Sequence, residues 1–152
     1  MVCIFWNPYD ILIINTTERG NAINASSFIE FILKPILKSP QYRNAKSQKQ
    51  SFTLHMDNAT AHTAIEVKKF LKRTGINIAP HPPYSPDLAP SDFYLFGRLK
   101  DKLGFTEFTS INEIKKWIRD QFFAISIEER LRVFHEWESR LERCITIHGN
   151  YV

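Results

Sequence analysis

The chain has 152 residues, enough to bury one sizeable core, and its 43% hydrophobic and 13% aromatic content excludes a disordered tail. The formal charge is only +4, but nine Lys/Arg stand against two acids, Asp57 and Glu66, from Lys34 to Arg73. A stretch of this kind suits either a polyanion held by its phosphates or a solvated basic face. Cys3 and Cys144 lack metal-ligand spacing and read as reduced, packed residues. Asn7, Pro8 and Asp10 interrupt the opening apolar stretch, which argues against a secretory leader. With no apolar run near the ~18 residues of a bilayer span, no membrane partner is expected.

Residues 1–6 and 11–15 are short β-type runs, and Asn7-Pro8-Tyr9-Asp10 between them supplies turn chemistry, so they predict a hairpin. Another turn follows at Glu18-Arg19-Gly20-Asn21. Asn24 or Ser26 then caps a helix carrying Phe28, Phe31, Ile32 and Ile36, kinked or shortened by Pro35. Residues 38–51 are polar and rich in Lys and Gln, and are expected to form an exposed loop. Residues 52–57 alternate: Phe52, Leu54 and Met56 face one way, Thr53, His55 and Asp57 the other. Asp57 thus falls at a strand end. A helix is expected over 61–73, with Ala64, Val67 and Leu71 on its apolar stripe and Gly75 as its stop. A short strand over 76–79 leads into the proline-rich segment 81–90, read as a rigid extended loop. That loop delivers Ser91-Asp92 to the first turn of a helix over 92–103. Two amphipathic helices close the chain, one on Ile111, Ile114, Trp117, Ile118 and Phe122, the other on Ile127, Leu131, Phe134, Trp137, Leu141, Cys144 and Ile145. The order of elements predicts a mixed α/β chain with one central sheet.

Chemistry concentrates at Asp57 and Asp92, with 34 residues between them. Carboxylates distant in sequence and held on rigid elements are what a divalent-metal site for phosphodiester chemistry requires. Each could instead serve its own helix start, as a cap or against the positive end of the dipole. Asp87 sits in a proline loop and reads as a turn residue. His55, His62 and His81 near Asp57 lack zinc-ligand spacing, and Trp117 and Trp137 lie on helix stripes as core residues rather than base-stacking platforms. No serine occupies a glycine elbow, so a Ser–His–Asp hydrolase is not indicated.

His55-Met56-Asp57-Asn58 with Ala61-His62-Thr63, and Tyr84-Ser85-Pro86-Asp87-Leu88-Ala89-Pro90-Ser91-Asp92, resemble the two later acidic motifs of mariner-type DNA transposases, at that family's spacing. An aspartate rather than a glutamate at position 92 favours the mariner branch over its Tc-type relatives. Val2 to Trp6, Gly20 and Asn24 resemble the family's second and third strands and following helix; Phe134-His135-Glu136-Trp137, Arg143-Cys144-Ile145 and Gly149-Asn150-Tyr151 resemble its C-terminal helix and tail. The resemblance implies a ribonuclease H-like α/β fold, a mixed sheet flanked by helices, across residues 1–152. It also implies a reaction in which two Mg²⁺ or Mn²⁺ ions on three carboxylates activate water, and then a DNA 3′-hydroxyl, for in-line attack at phosphorus. Asp57 and Asp92 are the implied metal ligands and catalytic residues, and Asn58 and His62 the supporting ones. Lys68, Lys69, Lys72, Arg73 and Arg98 are candidate DNA contacts.

The family's first aspartate and its helix-turn-helix segments fall upstream of the residues that match Met1 to Trp6, and Asp10 in the hairpin turn is a poor substitute. The chain is therefore expected to be an N-terminally truncated catalytic domain, its sheet incomplete at the centre. By itself it should bind the metal weakly and DNA in a salt-sensitive way, without transposition. A non-catalytic module that pairs with full-length transposase, or with a second copy, is the alternative. A nuclear location follows from a chromosomal substrate.

Overall fold

A computed structural model describes residues 2–16 and 23–146; the turn around Gly20, His148 and the tail at 149–151 lie outside the described residues. The chain divides into two compact units. The first holds residues 1–7 and 11–83, the second residues 8–10 and 84–152.

The first unit opens with the expected hairpin. β1 (Val2–Trp6) and β2 (Ile11–Thr16) pair antiparallel from Val2 opposite Thr16 to Trp6 opposite Ile11, with a bulge between Phe5 and Trp6. Asn24 then caps a helical run: its Oδ1 accepts from the Ser27 N–H at 2.8 Å and the Ser27 hydroxyl receives the Asn24 N–H at 2.9 Å. The run comprises α1 (Ala25–Phe28), a π turn (Ile29–Leu33) and α2 (Lys34–Leu37). Pro35 is accommodated rather than breaking it. Proline has no N–H for the carbonyl four residues back, which is that of Phe31. That carbonyl instead accepts from the Asn15 side-chain amide at 3.2 Å.

Residues 38–51 depart from the expected loop, for most of them form α3 (Pro40–Ser47). Ser39 supplies the N-cap, accepting from the Tyr42 N–H at 3.2 Å, and Pro40 takes the first helical position, where no intrahelical donor is needed. Tyr42 is buried, with its ring edge-on to Phe52 at 5.3 Å and its hydroxyl donating to the Thr74 carbonyl at 2.8 Å. A polar surface hid a helix fixed by one buried tyrosine.

β3 (Phe52–His55) and β4 (Ile76–Ala79) pair parallel, Phe52 opposite Ile76 through His55 opposite Ala79. Leu54 and Met56 are buried on the face the alternation assigns to the core. Among the described residues no strand joins this pair to the hairpin, so in place of the one central sheet predicted from the order of elements stand two two-stranded pieces, in keeping with the incomplete centre that the resemblance implied. The helix expected over 61–73 is two: α4 (Thr60–Thr63) and α5 (Ile65–Thr74), parted at Ala64, whose ψ of 144° is extended. Gly75 ends α5 at φ +71°, a left-handed backbone that disfavours any residue with a Cβ. Phe28, Ile32, Leu33 and Ile36 from the helical run meet Leu54, Met56, Val67, Phe70, Leu71 and Ile76 in this unit's core.

Residues 81–90 lead the chain from the first unit into the second and are less extended than expected: they hold a turn at Pro83 and Tyr84, the latter at φ +55°, a 3₁₀ turn at Pro86–Leu88, whose Leu88 is buried, and a helical Pro90. In the second unit a π turn (Ser91–Leu95) and α6 (Phe96–Leu103) form the helical run that carries Asp92. α7 (Ile111–Phe123) is capped by Ser110, which accepts from the Glu113 N–H at 3.2 Å. α8 (Ile127–Thr146) buries less of its apolar stripe than expected: Val133 and Arg130 are buried, whereas Ile145 is exposed. Likewise Ile111 is exposed on α7 while Ile118 and Phe122 are buried. The Arg130 guanidinium lies 4.6 Å from the Phe122 ring centroid and 5.5 Å from that of Phe123, an arrangement that compensates burial of its charge. Trp117 and Trp137 are half-buried, edge-on to Phe108 and Phe134, in keeping with packing roles.

Candidate active site

Asp57 lies two residues beyond the end of β3, where the chain has left the ladder and not yet begun α4. The strand ends because Met56 is drawn into the core while Asp57 and Asn58 turn out to solvent. One carboxylate oxygen, Oδ1, accepts from His62 Nδ1 at 2.7 Å and from the Ala59 N–H at 3.2 Å. A carboxylate can only accept, so Nδ1 of His62 carries the proton. The imidazole is itself seated, its ring 4.4 Å from that of the fully buried Phe28. The Asp57 side chain stays 62% exposed and that of His62 21%. Thus His62 and one backbone amide orient Asp57 through Oδ1 on a carboxylate that stays largely exposed.

Asn58 plays a different part. Its side-chain amide donates to the His81 carbonyl at 2.8 Å, tying the end of β3 to the segment that follows β4. Beneath this tie His55 Nε2 and His81 Nδ1 share a hydrogen bond of 3.1 Å. Burial, and secondarily the His81 ring, push the His55 pKa down to about 4 against an opposing pull from Asp57, so the ring is neutral at pH 7. Burial and then the Asp57 charge raise the Cys3 thiol to about 11, which keeps it protonated at pH 7. One nitrogen of each of the three histidine rings is hydrogen-bonded, and among the described residues no three His, Cys, Asp or Glu side chains make a group that could hold a metal.

Asp92 belongs to the second unit, exposed at the second position of its π turn, with its N–H donated to the Ala89 carbonyl at 2.9 Å. Sequence reasoning missed what holds this segment. Arg140 of α8 lays its guanidinium 4.3 Å from the Phe93 ring centroid and donates Nη1 to the Asp87 carbonyl at 3.2 Å. Glu136 grips the same guanidinium at 2.6 and 3.0 Å. Glu129 takes the Tyr94 hydroxyl at 2.7 Å and Arg98 Nη1 at 2.6 Å. The Glu136–Arg140 spacing of four is visible in the sequence, but the loop it clamps is not. Asp87, read as a turn residue, is part of the 3₁₀ turn so clamped.

The charge divides between the units. The first carries ten Lys/Arg against four Asp/Glu, the second ten against twelve. Lys68, Lys69, Lys72 and Arg73 are all exposed on α5, in the unit that holds Asp57, with Arg73 resting on the Phe70 ring at 5.6 Å. Arg98 is in the other unit and its charge is met by Glu129.

The donor chemistry at both aspartates is hard oxygen, which fits Mg²⁺ or Mn²⁺ and not a thiolate-seeking ion. Residues 2–115 match the family model described as DDE superfamily endonuclease. The chain is 33% identical to the Mariner Mos1 transposase of Drosophila mauritiana over 156 aligned positions, covering all of this chain and 44% of that protein. The structure of the Mos1 transposase catalytic domain with raltegravir and Mn superposes with a TM-score of 0.85 at 28% identity, over 99% of this chain and 76% of that one. The Mos1 mariner paired-end complex with Mn gives 0.84 at 30% identity, over 99% and 44%. The ribonuclease H-like fold expected from the sequence is therefore present, and the chain spans less than half the length of the curated transposase it matches.

Proposed function

The chain belongs to the DDE superfamily of endonucleases, as a mariner-type transposase catalytic domain, and on that footing we propose that it supplies two of the carboxylates of a metal-dependent DNA strand-cleavage and strand-transfer site. Asp57 and Asp92 are the metal ligands. The observation that carries this reading is the posture of Asp57: Oδ1 is held by His62 and the Ala59 amide, while the side chain remains 62% exposed. Mg²⁺ or Mn²⁺, when bound there, lowers the pKa of an attacking oxygen and offsets charge building at phosphorus. His62 keeps the carboxylate from rotating, and Asn58 fixes the strand end that bears it. Arg140 and Glu129 do the same for the segment of Asp92.

Among the described residues no three His, Cys, Asp or Glu side chains form a group that could hold a metal. By themselves, then, these 152 residues hold the ion weakly, bind DNA through the α5 cations and do not cleave it. Transposon-end DNA is the substrate of the complete assembly, which works in the nucleus on chromosomal DNA. The test is a Mg²⁺-dependent nicking assay beside a DNA-binding titration in rising salt. Binding that weakens steeply with salt, without nicking, fits the proposal; strong nicking abolished by Asp57→Ala and Asp92→Ala refutes the inactivity; salt-insensitive or absent binding refutes the nucleic-acid reading.

The two-piece sheet favours a second reading. β1–β2 and β3–β4 each have only one paired neighbour among the described residues, which suits pairing with a strand of a full-length transposase or of another copy. Co-purification with such a partner, undiminished by Asp92→Ala, is its signature.

A further inference from the structure

α3 and the turn that ends it carry a charge pattern that folding does not require. From residue 38 to residue 51 there are four Lys/Arg and no acid. Arg43, Lys46 and Lys49, spaced by three, are exposed along the helix and just beyond it, with the exposed neutral side chains of Asn44, Ser47 and Gln48 between them. The end of the helix is fixed: the Lys49 N–H bonds the Lys46 carbonyl at 3.2 Å and the Gln50 N–H that of Ala45 at 2.8 Å. Helix electrostatics explain only part of this pattern. A cation near the C-terminus meets the negative end of the dipole, which suits Lys46 and Lys49. Arg43 stands in the N-terminal half, where the dipole disfavours it, and the first turn holds no acid. A face that is merely solvated interleaves the two signs, and this one does not.

The neighbour of α3 gives the pattern a use. Tyr42 joins α3 to the end of α5, its hydroxyl donating to the Thr74 carbonyl at 2.8 Å. Lys46 Nζ reaches the same end, 2.9 Å from the point where a Cβ on Gly75 would sit. Lys72 and Arg73 occupy the last turn of α5, so the cations of the two helices meet there. Across both helices the one acid is Glu66, in the first turn of α5. Among the described residues none of these cations forms an ion pair. A surface of this kind fits a polyanion with regularly spaced charges, and Arg, Lys, Asn, Ser and Gln are the side chains that hold DNA phosphates.

We propose that α3 and α5 form one phosphate-binding face, on which Arg43, Lys46 and Lys49 take the backbone of the same DNA duplex that the α5 cations hold. The inference rests on the nucleic-acid reading above and extends its grip to a second helix. α5 starts three residues beyond His62, and its ten residues span about 15 Å. At about 3.4 Å per base pair, α3 meets phosphates roughly four base pairs along from those at the start of α5. One duplex covers both helices, so their contributions to binding add.

The experiment titrates the 152-residue chain with a fluorescent blunt duplex in rising salt and reads the slope of log affinity against log salt. Arg43→Gln, Lys46→Gln and Lys49→Gln together should make that slope shallower by about 2–3, at about 0.9 for each phosphate no longer neutralised. Joined to Lys68→Ala, Lys69→Ala and Lys72→Ala, the two losses should sum. Lys102→Gln, Arg119→Gln and Arg143→Gln remove the same charge from exposed positions of the second unit and should leave the slope unchanged. Ser47→Lys adds a cation one helical turn from Arg43 and should steepen the slope by about 0.9, a gain that misfolding cannot produce. An unchanged slope in the α3 variant overturns the proposal, as does a Ser47→Lys slope no steeper than that of the parent. An equal loss in the second-unit variant would assign the effect to net charge and overturn it too, and losses that do not sum would place the duplex on one helix at a time. If the parent chain binds no duplex, the nucleic-acid reading fails and takes this proposal with it; if it binds through α5 with no dependence on α3, only the shared face fails.

Discussion

Replacing His62 with alanine separates the positioning of Asp57 from its chemistry. The substitution removes the 2.7 Å hydrogen bond to Oδ1 and the ring packing against Phe28. With Asp57 62% exposed, that charge-assisted bond contributes about 0.5–1 kcal/mol rather than the larger value of a buried one. The imidazole is 21% exposed, and losing its seat against Phe28 costs about 1 kcal/mol more. His62→Ala should thus lower stability by about 1.5–2 kcal/mol in urea unfolding. The effect on metal is separate: with Asp57 in its proposed ligand role, loss of the orienting partner should weaken Mn²⁺ binding about 10-fold or more, read from the paramagnetic resonance of free Mn²⁺. His62→Asn places a donor near the position of Nδ1 without the ring. It should restore most of the Mn²⁺ affinity and little of the stability. Unchanged Mn²⁺ affinity in His62→Ala, where Asp57→Ala abolishes it, would refute the orienting role, for the carboxylate would then need no partner to hold it.

The His55 pKa, depressed from 6.5 to about 4, makes the unfolded state the better proton binder between those values. Its stability contribution is complete above pH 6.5 and is lost as pH falls to about 4. Allowing for solvent screening of the half-buried ring, urea unfolding at pH 7.5 and 4 should differ through this group by about 1–2 kcal/mol, and His55→Gln should flatten the difference. Asn15→Ala should cost about 0.5–1 kcal/mol by stranding the Phe31 carbonyl, and less when Pro35 is also alanine, since residue 35 can then supply a backbone N–H; a double-mutant cycle with no coupling would contradict that account. Lys68→Ala, Lys69→Ala and Lys72→Ala together should reduce DNA affinity without sequence preference and lower the slope of log affinity against log salt by about 0.7–0.9 for each phosphate no longer neutralised; an unchanged slope would move the DNA to another face.

Much of this chain was legible one element at a time. The period-two pattern of Phe52, Leu54 and Met56 placed Asp57 at a strand end, Asn24 and Ser110 marked helix starts, and Gly75 marked a stop. Such signals live within about four residues of the position they control, so a sequence states them directly. The two acidic motifs and their spacing likewise carried the family, since that resemblance is a property of the letters. Residues 38–51 show where local reading ran out. Their polarity argued for a loop, yet Tyr42 reaches the Thr74 carbonyl across 32 residues and makes the Ser39-Pro40 start worth keeping as a helix. Pro35 stays helical because a strand residue, Asn15, lends its amide to the carbonyl that proline leaves unpaired. His62 was singled out from its motif, but its hold on Asp57 and its seat against Phe28 depend on where the fold sets α4 and α1. Arg140 clamps a loop 53 residues earlier, and nothing near it in the chain names that loop. Propensity and capping are local free energies, fixed by sequence; a hydrogen bond between distant segments exists only after burial has brought its donor and acceptor together.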